Sequence, residues 1–299
     1  MQGHSDYVRT VAWACDGRVL ASGGDDERII LWDAKKNERL TELKGHSGLV
    51  RTVAWSFDDK LLASGGDGAR IILWDVKKGE RLTELKGHSD RVSCLQFNPT
   101  DAGQLVTGSW DKTVKVWSVA DGQCQHTLIG HGYGVNAVAW SIDGKIASGS
   151  IDNAVRTWNP SKGDRFKTLE GHSGPVSCLQ FNPTDAGQLV TGSWDKTVKL
   201  WSVADGQCQH TFIGHSDVIS ACEFAPTGKT IVSASYDTVI KIWDVASGTC
   251  QGTLEGHSGS VYAVAWSIDG NIASGSDDTT VKIWNSSTGE CLKTLEGHR

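Results

Sequence analysis

A Gly-His pair recurs along the chain at Gly3, Gly45, Gly87, Gly130, Gly171, Gly214, Gly256 and Gly297, at intervals of 42, 42, 43, 41, 43, 42 and 41 residues. Each interval also places a Trp about 28 residues after its His: Trp32, Trp74, Trp117, Trp158, Trp201, Trp243 and Trp284. A period of this length means that one supersecondary unit is repeated. Such a unit cannot bury its apolar surface alone and must stack on its neighbours.

The last repeat shows what the unit is. The runs VYAVAW (261–266), NIASGS (271–276), TVKIW (280–284) and ECLKTLEG (290–297) are β-rich and short, and turn compositions separate them. Four such strands with tight turns give a small twisted antiparallel sheet with two apolar faces. One sheet is not stable by itself, whereas seven in a ring cover one another and leave only short edges. No helical periodicity competes.

With its Gly-His start, a Trp followed by Asp in three repeats (Asp33, Asp75, Asp244) and this period, the chain resembles the WD40 family over its whole length. The resemblance implies an all-β fold: one seven-bladed β-propeller of four-stranded antiparallel blades over 1–299. Its blades span about 3–44, 45–86, 87–129, 130–170, 171–213, 214–255 and 256–297. The repeats are unequally related. Residues 87–131 and 171–215 differ only at Asp90/Gly174, Arg91/Pro175, Val116/Leu200 and Leu128/Phe212, which points to internal duplication or assembly from related blades.

Composition excludes several classes. A net charge of −6 without a basic stripe argues against nucleic acid as partner. No apolar stretch approaches 18 residues and no signal peptide is visible, so a membrane is not expected and an intracellular (cytoplasmic or nuclear) protein is. Of the eight cysteines, Cys124, Cys208, Cys250 and Cys291 share one phase of the repeat and should not meet; all are read as reduced thiols. Gly228-Lys229-Thr230 lacks the first glycine and the helix of a phosphate loop. His126/His131 and His210/His215 have the wrong spacing to share a face of an extended chain. No cofactor and no metal is expected.

Six repeats carry a His, a Ser or Thr, an Asp and a Trp at fixed spacing. The sets are His4, Ser22, Asp26, Trp32; His88, Thr107, Asp111, Trp117; His131, Ser148, Asp152, Trp158; His172, Thr191, Asp195, Trp201; His215, Ser233, Asp237, Trp243; and His257, Ser274, Asp278, Trp284. Ser, His and Asp together invite a hydrolase reading. The family resemblance instead implies a hydrogen-bonded chain inside each blade, and six copies do not fit one activated nucleophile. The second repeat keeps His46, Ser64 and Trp74 but has Gly68 at the Asp position, with Asp67 one residue early. Blade 2 is therefore expected to be the least stable.

Three positions per blade point to the usual docking face by family resemblance. In chain order they are Tyr7, Arg9, Asp25; Leu49, Arg51, Asp67; Arg91, Ser93, Trp110; Gly134, Asn136, Ile151; Pro175, Ser177, Trp194; Val218, Ser220, Tyr236; and Ser260, Tyr262, Asp277. Arg and large aromatics anchor interfaces most often, so Tyr7, Arg9, Arg51, Arg91, Trp110, Trp194, Tyr236 and Tyr262 are the expected partner-binding residues on the top face. They suit an acidic or apolar peptide segment of another protein. Trp13, Trp55, Trp140 and Trp266, on inner strands, are expected in the core.

The chain has no spare strand to lend to its last blade. The ring is expected to close by blade 1 packing on blade 7, a weak seam where His4 and His298 compete for one loop position. It is also expected to be a monomeric ring or a piece of a larger multidomain chain. The function expected is a non-catalytic interaction scaffold with a protein or peptide partner. The alternatives are an engineered or duplicated scaffold without a dedicated partner and, more weakly, a hydrolase.

Overall fold

The computed structural model describes residues 4–33, 35–36, 38–267 and 269–296. All regular structure among them is β: twenty-eight strands in seven four-stranded antiparallel sheets, each built from four consecutive strands. These are the seven blades of a β-propeller. In the last repeat the strands are Val261–Trp266, Asn271–Ser276, Thr280–Asn285 and Cys291–Glu296, within a residue or so of the four runs read from the sequence. Gly297 and His298 lie outside the described residues.

The chain falls into two compact units, Met1–Ser148 with Trp158–Arg165, and Gly149–Thr157 with Phe166–Arg299. In the first unit, Ile29, Leu31, Leu43, Val50, Leu62 and Trp74 form a buried cluster that joins blade 1 to blade 2. In the second, Val198, Leu200, Phe212, Ile219, Phe224 and Trp243 do the same for blades 5 and 6. Both faces of an interior blade are therefore apolar, and residues alternate between two neighbouring cores rather than between core and solvent.

The approach between blades is close. A Cβ on Gly23 would meet Val50 Cγ1 at 2.5 Å, and one on Gly192 would meet Ile219 Cγ2 at 2.5 Å. Any side chain there would push the first strand of the next blade away.

One core expectation is corrected. Trp55 and Trp140 are buried, at 8% and 4% exposure, but Trp13 is 43% exposed. The indole N–H of Trp55 donates to the Ala12 carbonyl of blade 1 at 2.9 Å. Blade 1 has no preceding inner strand in its unit to give Trp13 such a cover.

Candidate functional site: a polar network in each blade and an end built from bulges

The repeated Trp anchors each blade. Trp74, Trp117, Trp158, Trp201, Trp243 and Trp284 are each at most 2% exposed, which removes a large apolar area from water, worth roughly 2–3 kcal/mol per side chain. The Gly of the Gly-His pair lies against the indole rim; a Cβ on Gly45 would touch Trp74 Cη2 at 3.1 Å. That contact seats the following His over the second strand.

In blade 3, Trp117 Nε1 donates to Thr107 Oγ1 at 2.8 Å, and Thr107 Oγ1 lies 2.8 Å from His88 Nε2. His88 Nδ1 lies 2.7 Å from Asp111 Oδ2, which also accepts from the Ser89 backbone N–H at 3.1 Å. The same chain runs through His4, Ser22, Asp26 and Trp32, through His172, Thr191, Asp195 and Trp201, through His215, Ser233, Asp237 and Trp243, and through His257, Ser274, Asp278 and Trp284. In blade 4, His131 and Trp158 both bond Ser148, and Asp152 holds Arg156.

The polarity is consistent: indole N–H to hydroxyl, hydroxyl O–H to Nε2, and Nδ1–H to carboxylate. Burial alone would raise the pKa of Asp111, Asp195 and Asp278. The bonds from His, Thr and backbone N–H outweigh it and hold all three carboxyls well below the usual range.

Nδ1 to carboxylate and Nε2 to hydroxyl is also the order found in a hydrolytic triad. Here the hydroxyls of Ser64, Thr107, Ser148, Thr191 and Ser233 are fully buried, and each also accepts from an indole. A substrate carbonyl has no approach to them.

Blade 2 shows the missing member. His46 Nε2 lies 2.7 Å from Ser64 Oγ, and Trp74 donates to the same oxygen. No carboxylate stands at Nδ1 among the described residues, and Asp67 instead takes the Arg51 guanidinium. Burial, with smaller contributions from Arg81 and Arg70, lowers the His46 pKa to about 4.

The turn that carries the network Asp is strained in every blade. The next residue has a left-handed backbone: Glu27, Ala69, Lys112, Asn153, Lys196, Thr238 and Thr279, with φ between 55° and 73°. For β-branched Thr238 and Thr279 this is unusual. The Asp holds the turn by accepting the next backbone N–H but one, as Asp111 does from Thr113 at 2.9 Å. Ala69 of blade 2 carries the same strain without that cap.

A second device shapes the blade ends. The pairing of first and second strands slips by one residue in blades 1, 2, 3, 5, 6 and 7, which leaves Arg9, Arg51, Ser93, Ser177, Ser220 and Tyr262 out of register. Such a bulge re-aims the extra side chain. The structure sorts these blades into two kinds. In blades 1, 2 and 7 the bulged residue reaches an Asp of its own turn. Arg9 makes two bonds to Asp25, Arg51 two to Asp67, and Tyr262 Oη donates to Asp277 at 2.8 Å. In blades 3, 5 and 6 it is a Ser whose hydroxyl donates to the first strand of the next blade, at Val135, Ile219 and Val261. There the turn position carries Trp110, Trp194 or Tyr236.

The partner-binding residues expected from the sequence therefore lie in two settings. In the first unit Tyr7 is 72% exposed, Arg9 and Arg51 are ion-paired, and the Arg91 guanidinium stacks 3.2 Å from the Trp110 ring centroid. In the second, Trp194 is exposed, while Tyr236 and Tyr262 meet edge to face at 5.2 Å.

The near-duplicate blades 3 and 5 differ at the residue that covers this Trp. With Arg91 above it, Trp110 is 38% exposed; with Pro175 in that place, Trp194 is 53% exposed.

Sequence reasoning missed the Ser ties between blades and a second relay at the fifth residue of the inner strand. Gln96 accepts from Trp140 N at 2.7 Å, Gln180 from Phe224 N at 2.6 Å, and Glu223 from Trp266 N at 2.8 Å. Recurrence of Gln or Glu at one phase of the repeat was the signal.

The sequence profile described as "WD domain, G-beta repeat" matches residues 1–33, 37–75, 79–118, 122–159, 163–202, 206–244 and 248–285. The chain belongs to the WD40 repeat family. Over 147 residues it is 44% identical to the small ribosomal subunit protein RACK1 of Drosophila melanogaster, covering 48% of this chain and 46% of that protein. It is 48% identical over 54 residues to the small ribosomal subunit protein RACK1y of Oryza sativa subsp. japonica, 18% of this chain and 16% of that one. It is 46% identical over 48 residues to the F-box-like/WD repeat-containing protein TBL1Y of Homo sapiens, 16% of this chain and 9% of that one. The matched stretch spans less than half the length of each of these relatives.

Proposed function

We propose that the chain is a non-catalytic protein-interaction scaffold that takes a protein or peptide partner at the blade ends carrying Trp110, Trp194, Tyr236 and Tyr262. One observation carries the reading. The third-strand Trp of blades 2 to 7 is sunk in the fold, whereas the blade-end aromatics, including Trp194 at 53% exposure, reach into solvent. Exposed Trp and Tyr on a rigid support bind with little entropy loss.

Arg9 and Arg51 already hold Asp25 and Asp67. Their charge is matched locally, so they bring hydrogen-bonding breadth rather than attraction for an acidic segment. An apolar or aromatic peptide fits this surface better than an acidic one. Within the first unit, Tyr7, Arg9, Arg51 and Arg91 stand at the blade ends together with Trp110. An intracellular setting accords with the ribosomal names of the RACK1 relatives. The buried hydroxyls of the His, Ser/Thr and Asp sets support the non-catalytic part of the reading.

Alanine at Trp110 and at Trp194 tests it. Trp194→Ala is expected to change the melting temperature by no more than about 2–4 °C, and Trp110→Ala, which also loses the Arg91 stack, by somewhat more, with both variants still folded. Each is also expected to lose at least about tenfold in affinity for a partner captured by the unchanged chain, with the larger loss at Trp194. Partners retained equally by both variants, or no partner above a non-specific control, overturn the proposal. The latter result favours a duplicated scaffold without a dedicated partner.

A further inference from the structure

The Sγ atoms of Cys178 and Cys222 lie 3.1 Å apart, on the inner strands of blades 5 and 6. No other pair among the described cysteines is recorded in such contact, and all eight are thiols here. Cys178 is the third residue of its strand and Cys222 the fourth of the next, so the contact belongs to the general packing of neighbouring inner strands. Blade 3 is a built-in comparison. Cys94 occupies the position of Cys178 in the near-duplicate blade, and a Cβ on Gly108 would meet both Cys94 Sγ and Val138 Cγ1. Val138 stands in blade 4 where Cys222 stands in blade 6. Only one of two nearly identical sites thus has a second sulfur.

We propose that Cys178 and Cys222 form an oxidisable dithiol site whose co-reactant is hydrogen peroxide and whose product is a disulfide joining blades 5 and 6. Sulfurs already closer than van der Waals contact need only a small shift of two side chains to reach bonding distance.

Cys178 is part-exposed and Cys222 is buried, which sets the order of events. The Cys178 thiolate attacks one peroxide oxygen. The O–O bond breaks, hydroxide leaves and takes up a proton as water, and Cys178 becomes a sulfenic acid. Cys222 sulfur then attacks the sulfenic sulfur. The S–O bond breaks, and the departing hydroxide takes the Cys222 proton to leave as a second water. Two thiols lose two electrons and two protons, and one peroxide is reduced to two waters. Burial pushes the Cys222 thiol well up from its ordinary range, which disfavours it as the thiolate that meets the peroxide first.

The bond would cross-link residues 44 apart in sequence, between strands whose second residues are the bulged Ser177 and Ser220. It would fix the spacing of the two blade ends that present Trp194 and Tyr236.

The test is hydrogen peroxide added in small excess to the dilute full chain, followed by alkylation, digestion and mass mapping. The expected result is a linked peptide pair containing Cys178 and Cys222, about 2 Da below the sum of the thiol forms, with Cys94 still fully alkylated. Oxidation should also raise the melting temperature by about 5 °C, reversibly with dithiothreitol. In Cys222→Val and in Cys178→Ala, residues already used at those positions in other blades, neither the link nor the rise should appear. Cys178 and Cys222 remaining as alkylatable as Cys94, under peroxide that has oxidised exposed Cys15 and Cys124, overturns the proposal. So does a thermal rise that persists in both variants.

Discussion

Gly68→Asp is expected to stabilise the chain by about 1–3 kcal/mol, the range for charge-assisted hydrogen bonds in a part-buried site. The space exists, because a Cβ on Gly68 meets nothing closer than Ser47 Oγ at 3.7 Å. Two geometries wait for the carboxylate. Residue 68 is the repeat position from which Asp111 reaches His88 Nδ1 in blade 3, and the strained turn at Ala69, with φ 55°, lacks the cap its counterparts receive.

The acid side of the stability curve should change as well. His46 is held neutral, with its pKa lowered from 6.5 to about 4, so its share of stability is complete above pH 6.5 and lost as pH falls towards 4. An Asp at 68 gives the imidazolium a partner and should flatten that window.

Urea melts at pH 7 and pH 5 measure both effects. Gly68→Ala separates them from the general gain on replacing a glycine, which is about 0.4–1 kcal/mol. If Asp gains no more than Ala at pH 7, and the slope between pH 6.5 and 4 is unchanged, the network has no energetic weight in blade 2.

Glu223→Gln is expected to stabilise the chain in mild alkali and to do little in acid. The Glu223 carboxyl accepts from Trp266 N at 2.8 Å and from Gln180 Nε2 at 3.3 Å, linking the inner strand of blade 6 to those of blades 7 and 5. Burial pushes its pKa up to about 7 from 4.5, against the lowering effect of those two bonds. A raised carboxyl contributes its full share of stability below about pH 4.5 and loses it as pH rises through about 7.

The wild type should therefore weaken by about 1–3 kcal/mol between pH 5 and pH 8.5 from this group alone, the upper figure being the whole shift at 1.36 kcal/mol per unit. Gln removes the charge and keeps an acceptor for Trp266 N, as Gln96 and Gln180 already do at the same place in blades 3 and 5. Thermal melts of the two proteins across that range should converge at pH 5 and separate above pH 7. Parallel curves would mean that Glu223 titrates in solution-like surroundings.

Both effects come from positions where one blade departs from the others, and they were not equally legible. Gly68 stands out in the sequence because the missing partner belongs to the same blade as the His, Ser and Trp it should serve. Glu223 and its neighbour Cys222 do not stand out, because their partners, Trp266, Gln180 and Cys178, lie on the blades either side. The blade-end residues fall between these cases. Their positions followed from the repeat, but the pairing of Arg9 with Asp25 and of Arg51 with Asp67 depends on a bulge that slips the register by one residue. The register change turns those side chains toward the turn of their own blade. Trp13 failed for a related reason: its strand reads like Val50–Trp55 in sequence, but its cover depends on a preceding blade.

The sequence by itself determined the number of blades, the four strands in each, the members of the polar networks and the one network that lacks its acid. A fixed period with local turn and strand chemistry is enough for that, since every one of those contacts closes within about forty residues. Only the tertiary structure decided which arginines are already paired, how far each blade-end aromatic stands in solvent, and which two of eight cysteines touch. Those outcomes depend on how neighbouring sheets lie against each other. A shift of one residue there moves a side chain from one neighbour to another without altering the repeat.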